Sequence, residues 1–228
     1  RPWPDCSLIL DSVDIFIVDY DLLETDPVLT GEEIAYLARC FSRCGLIIGV
    51  NQFRQIDFDL TLRGHPGSFA DLNVNVTDRN RQLSNPNLWG RHAGGFHPWH
   101  WPALPSYHED SKKRKETIKE NLEEPIWRVI GFPEDQFELL PRGIVQFLGG
   151  ENPLDTTFRD FVVESGNGLR PKDAELGDQV DNEVIARVGA ARISKWLERL
   201  LLPNQTILID APHLVSRYPS LLDGNPAD

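Results

Sequence analysis

Two acids, Asp19 and Asp21, follow directly on the apolar run Ile15-Phe16-Ile17-Val18. Carboxylates in that position are suited to three jobs. One is structural: capping the loop or turn that leaves a strand by accepting backbone N–H bonds. The second is phosphoryl acceptance, in which an exposed carboxylate beside a bound Mg2+ attacks phosphorus while the cation neutralises charge on the transferring oxygens. The third uses both acids, one as nucleophile and one as acid/base.

A second cluster with chemical potential is His92-Ala93-Gly94-Gly95-Phe96-His97-Pro98-Trp99-His100-Trp101. Imidazoles at 92, 97 and 100, with His108, Glu109 and Asp110 a few residues on, are ligand types that a transition metal accepts. Pro98 and Pro102 oppose the helix that usually presents such pairs, which favours an aromatic loop with hydrogen-bonded rings. A partner-recognition surface extending through Leu83-Ser84-Asn85-Pro86-Asn87-Leu88-Trp89 is the remaining reading. His213, after the run Thr206-Ile207-Leu208-Ile209-Asp210, would face the same crevice as Asp19 if that run pairs beside it.

The elements that must hold these residues are legible from periodicity. The β-branched and aromatic run at 15–18 reads as an interior strand, and α/β sheets place their chemistry just past the carboxyl ends of such strands. Thr30-Gly31-Glu32-Glu33 reads as a capping box that starts a helix. Ile34, Leu37, Ala38, Phe41 and Cys44 follow at helical spacing, with Gly45 as the stop. Leu46-Ile47-Ile48-Gly49-Val50 is the next strand, so the order predicts a right-handed, parallel βαβ crossover.

Between 51 and 108 the regular pattern dissolves, with Phe58, Leu60 and Leu62 as one candidate edge strand. Helical signals return over 109–124, 125–130, 133–140 and 142–148. Residues 151–181 read as loop-rich, and 184–202 as the longest helix. The expected organisation is an α/β portion over 1–108 carrying the Trp/His-rich loop. A mainly helical extension over 109–228 comes next, with a returning strand at 206–210.

Composition narrows the partners. The net charge of −12 disfavours nucleic acid, which needs clustered basic charge. The one basic run, Lys112-Lys113-Arg114-Lys115, continues into Glu116 and Glu120 and reads as a solvated helix face. No apolar run approaches the roughly 20 residues that span a membrane, and no leader is evident. Cys6, Cys40 and Cys44 read as buried small hydrophobes, as in a cytoplasmic protein. There is no methionine, even at position 1, so Arg1 is not expected to be the natural start.

Taken together, Val18-Asp19, the loop from 20 to 29, the opening Thr30-Gly31-Glu32-Glu33-Ile34, Leu37-Ala38-Arg39 and the strand 46–50 resemble the middle of a response-regulator receiver domain of a divergent kind. The resemblance covers about residues 8–51 and implies an α/β fold with a parallel sheet and flanking helices. It implies that Asp19 is the phosphoacceptor, with Mg2+ as cofactor held by Asp19 and by a loop residue at Asp21. The implied role is two-component signalling with a partner kinase or another signalling protein, or a receiver-shaped module that no longer switches. A homodimer is left open. The chain departs from the family in having no hydroxyl after the strand, where Val50 leads to Asn51-Gln52. It also has no upstream acid pair and no convincing lysine after a later strand.

The alternative is a Mg2+-dependent phosphohydrolase or phosphotransferase resembling the haloacid dehalogenases. Their Asp-x-Asp-x-Thr motif is met in letters by Asp57-Phe58-Asp59-Leu60-Thr61 and in strand context by Asp19-Tyr20-Asp21, though by neither in both.

Overall fold

The structure is a computed structural model that describes residues 8–19, 22, 29–51, 67–75, 103–175 and 177–197. Strand β1 (Ile15–Asp19), helix α1 (Gly31–Phe41) and strand β2 (Leu46–Asn51) form the expected crossover. The two strands are parallel, Ile15 lying opposite Leu46 and Asp19 opposite Val50. A third strand, β3 (Leu72–Asn75), pairs parallel with β2 and sets Asn75 beside Asn51. The described sheet therefore runs β1-β2-β3 with β2 at its centre, and the chain is α/β. The expected edge strand at 58–62 lies outside the described residues; β3 falls in a stretch whose sequence shows no regular period.

Helix α1 starts where the sequence indicates. The Thr30 hydroxyl accepts the Glu33 N–H at 3.2 Å. The second half of the capping box is not made, because the Glu33 carboxylate pairs with Arg170 instead. The helix ends at Ser42, whose N–H donates to the Ala38 carbonyl, and not at Gly45. Gly45 is small for another reason: a Cβ there would lie 2.5 Å from His108 Nε2 and 2.8 Å from the Asp14 carbonyl.

The buried face of α1 also differs from the expected one. Phe41 is exposed, while Ala35, Tyr36, Ala38, Arg39 and Cys40 are buried. The cause is that α1 is covered on two sides. Ala35 and Ala38 pack with Val18, Ile47 and Phe16 against the sheet. Tyr36 and Cys40 belong to a larger core made with the helices later in the chain.

Those helices are α2 (Ala103–Glu120), α3 (Ile126–Val129), α4 (Arg142–Gln146), α5 (Phe158–Glu164), α6 (Pro171–Ala174) and α7 (Asn182–Trp196). Helix α2 runs across the expected boundary at 108 and, at 18 residues, is longer than α7. The stretch 151–181 is more ordered than its composition suggests. Thr157 and Asp160 form a complete capping box that starts α5, which buries Phe158, Phe161 and Val162. Trp196 stacks on Phe147 with centroids 6.2 Å apart and donates its indole N–H to the Ile144 carbonyl at 3.0 Å. The strand expected at 206–210 lies outside the described residues. No helix among the described residues is long and apolar enough to cross a membrane.

Candidate functional site at the carboxyl end of the sheet

Asp19 closes β1 at the carboxyl end of the sheet and is half-buried. Side chains alternate along a strand. Phe16 and Val18 face the core beneath α1, so Ile17 and Asp19 belong to the opposite face, where Ile17 is 42% exposed. By register the same end of the sheet carries the backbone of Asn51 and Asn75. Asp19 thus stands at the exit of a parallel crossover, where a carboxylate meets whatever binds there.

The other expected participants do not join it on the described residues. Asp21, Asp57, Asp59, Asp210, His213 and the 92–101 cluster lie outside them. His108 is at the opposite end of the sheet, packed on Gly45, its Nε2 4.0 Å from the Asp14 carboxylate. No group of three His, Cys, Asp or Glu side chains among the described residues is placed to hold a metal ion. Mg2+ takes only one or two protein carboxylates and completes its shell with water and phosphate oxygens. One carboxylate at this edge fits that hard-oxygen chemistry, and Asp21 would have to supply the rest.

Cys40 and Cys44 are free and buried. Burial pushes the Cys40 thiol up to about 12 and raises Cys44 as well, so neither is an activated nucleophile.

The most elaborate polar structure is at the amino end of the sheet, and no sequence motif points to it. Asp71, just before β3, pairs with Arg39 of α1; both side chains are almost completely buried. The same Asp71 oxygen accepts the Ile47 N–H at 2.8 Å, and Arg39 Nε and Nη2 reach the Phe69 carbonyl at 3.3 Å. Burial works to raise the Asp71 carboxyl, but Arg39, Lys115 and the Ile47 amide outweigh it and hold it below the usual range. Lys115 donates to the Gly45 carbonyl at 2.7 Å; burial first, and then the Arg39 charge, bring its ammonium down to about 8.

Nearby, Glu32 accepts the Phe69 N–H and the Ser68 hydroxyl. Burial raises the Glu32 carboxyl, opposed by those bonds and by Arg192 and Lys195. Arg192 donates to the carbonyls of Asn167 at 2.7 Å and Ser68 at 3.3 Å, and its guanidinium sits 4.7 Å above the Phe69 ring. Residues 68–71 are thus clamped between α1 and α7.

Two further ties join α1 to the helices. Arg187 of α7 donates to the carbonyls of Arg39 and Cys40 at 3.1 Å, a cation on the orphan carbonyls of a helix C-terminus. The Tyr36 hydroxyl donates to Asp173 at 2.6 Å and accepts the Arg170 N–H at 3.0 Å, with the Arg170 guanidinium 4.1 Å over its ring.

No family model, curated protein or solved structure matches the chain.

Proposed function

We propose that this chain is a signalling protein with an atypical receiver-like α/β core, and that Asp19 is its phosphoryl acceptor. The observation that carries the reading is the position of Asp19 at the carboxyl end of a parallel βαβ crossover, half-buried on a sheet edge. In the transfer, an Asp19 carboxylate oxygen forms a bond to phosphorus as the donor's bond to that phosphorus breaks. The departing group leaves with the electron pair and takes a proton from water. Asp19 and Asp21 would hold Mg2+, which when bound neutralises charge on the phosphoryl oxygens. The donor would be a partner kinase or a small phosphodonor.

The bonds that α1 makes to the helical half support a role in transmitting that state. The helix leaving the Asp19 loop is tied through Tyr36, Arg39 and Cys40 to α6 and α7, so displacement at its start reaches those helices through fixed contacts. The test is incubation with acetyl phosphate and Mg2+. The reading expects a stable adduct, one phosphoryl heavier than the chain, that is absent in Asp19→Asn. Continuous release of phosphate from an ester would favour the phosphohydrolase alternative. No adduct, together with a thermal melt unmoved by beryllofluoride and Mg2+, would leave a receiver-shaped interaction module.

A further inference from the structure

The clamp at the amino end of the sheet holds more positive charge than its acid balances. Arg39, Arg187 and Lys115 act on one another there, and Asp71 is the carboxylate among them. Glu183, which also acts on Arg187, is paired with Lys119, and Asp181 caps the start of α7. Cys44 faces the lysine as a thiol that burial keeps neutral, and His108 of the same helix packs on Gly45 and faces Asp14. The surplus leaves a trace. Arg39 is buried, yet its Nη1 has no hydrogen-bond partner among the described residues. A buried cationic donor without an acceptor is costly and marks a place for one.

Lys115 enters this cluster from α2 and is half-buried. Its Nζ donates to the Gly45 carbonyl at 2.7 Å, and two residues further on the Ile47 N–H donates to Asp71 at 2.8 Å. With its ammonium brought down to about 8, about one amine in ten is neutral at pH 7. For an ordinary lysine the fraction is below about one in a thousand. The neutral amine is the nucleophilic form.

We propose that Lys115 is a carbamylation site, at which dissolved carbon dioxide adds to the side-chain amine. The nitrogen lone pair forms a bond to carbon, one C–O π pair moves onto oxygen, and one N–H proton passes to water. The product keeps an N–H for the Gly45 carbonyl and turns the third cation of the cluster into an anion. Arg39 and Arg187 then face Asp71 and the carbamate, two charges of each sign. The carbamate oxygens are acceptors of the kind that Arg39 Nη1 lacks. The same charge count selects the reagent. A protonated imine would keep the positive charge and an acetyl group would only remove it, whereas a carbamate reverses it. Carbon dioxide is also small and uncharged, so it reaches a half-buried amine without carrying a charge inward. The site lies at the opposite end of the sheet from Asp19 and does not depend on the role proposed for that residue.

The experiment incubates the full chain with isotope-labelled bicarbonate, which supplies carbon dioxide, at about pH 7.5, where the lysines of the same helix differ most in neutral fraction. Triethyloxonium then fixes any carbamate as its ethyl ester, and peptide mass spectrometry locates the label. Lys115 should carry about tenfold or more label than Lys112, Lys113 or Lys119. The preference should vanish when the chain is labelled in urea, and it should fall in Arg187→Gln, which removes one of the cations facing the product. Bicarbonate should raise the thermal melt of the parent relative to chloride at equal ionic strength and pH. It should leave unmoved the melt of Lys115→Arg, which keeps a cation and cannot be carbamylated.

Label spread evenly over the lysines of this helix, or confined to the α-amine of the chain, overturns the proposal. So does a preference for Lys115 that persists in urea, which would trace it to neighbouring sequence and not to the folded cluster. A Lys115→Arg melt that rises with bicarbonate as the parent's does would also overturn it, by placing the effect elsewhere.

Discussion

The two ends of this small sheet use the same residue in opposite ways. At the amino end, Asp71 is dry, paired with Arg39 and bonded to the Ile47 amide. At the carboxyl end, Asp19 stands half-buried where the strand stops. A carboxylate whose oxygens are committed to buried partners is a structural strut. One that ends a strand half-buried keeps contact with solvent. Burial, and not residue type, separates the two acids.

The sharpest way to break this contrast is to make one substitution at both ends. Asp71→Asn should cost about 3–5 kcal/mol in urea unfolding, because it strands the Arg39 charge in the interior. Restoring much of that loss by also replacing Arg39 with Met would confirm that the unpaired charge, and not the lost bond to Ile47, dominates. If Asp71→Asn unfolds like the parent protein, the amino-end clamp is not a strut.

Next in size is Tyr36→Phe, which removes the hydroxyl shared by Asp173 and the Arg170 amide. A loss of about 1–2 kcal/mol is expected, since one partner of each bond is left behind. A change within error would mean that the Glu33–Arg170 pair and packing, and not the Tyr36 hydroxyl, hold α1 to α6.

The amino end should also show in alkali. The folded Lys115 ammonium titrates near 8, below its ordinary 10.5, so between those values the unfolded chain holds more protons. Stability from this group therefore rises with pH from about 8 towards 10.5. Cys40, raised to about 12, works the other way above 9, because there the unfolded thiol loses its proton first. Denaturation curves of Lys115→Met from about pH 7.5 to 9 should lack the rising component seen in the parent. Identical slopes would show that Lys115 is solvated in the folded chain.

The smallest stability effect belongs to Asp19→Asn, about 0.5 kcal/mol or less, as for a site outside the packed clamp. The same variant should lose the phosphoryl adduct entirely. A destabilisation matching that of Asp71→Asn would make Asp19 a second strut and remove the basis for the role proposed for it.

Much of the first crossover is legible in the sequence alone. The β-branched run of β1, the Thr30 cap and the apolar strand at 46–50 are local patterns, and local hydrogen bonding and periodicity enforce them. Asp19 at a strand end follows from the same signals. Local spacing misleads where the outcome depends on what lies across the molecule. The face of α1 cannot be assigned from spacing because helices cover the side turned away from the sheet, burying Tyr36 and Cys40 and leaving Phe41 exposed. Strand β3 has only four residues, Leu72-Asn73-Val74-Asn75, too few for alternation to stand out, and it exists because β2 offers an edge to pair with. The capping box at Thr157 is a local signal too, but a polar stretch hides it.

Local patterns alone place the first strands and helix and the acid that ends the first strand. That Arg39, Asp71 and Arg192 are interior charges, and that the helical stretch shares a core with α1, comes from the packing of distant segments. Burial of a charge requires partners that desolvation makes obligatory. Arg39 and Asp71 are 32 residues apart, and Arg192 reaches Ser68 across 124. No pattern within a single segment encodes that meeting; it forms only when the sheet and the helices close on each other.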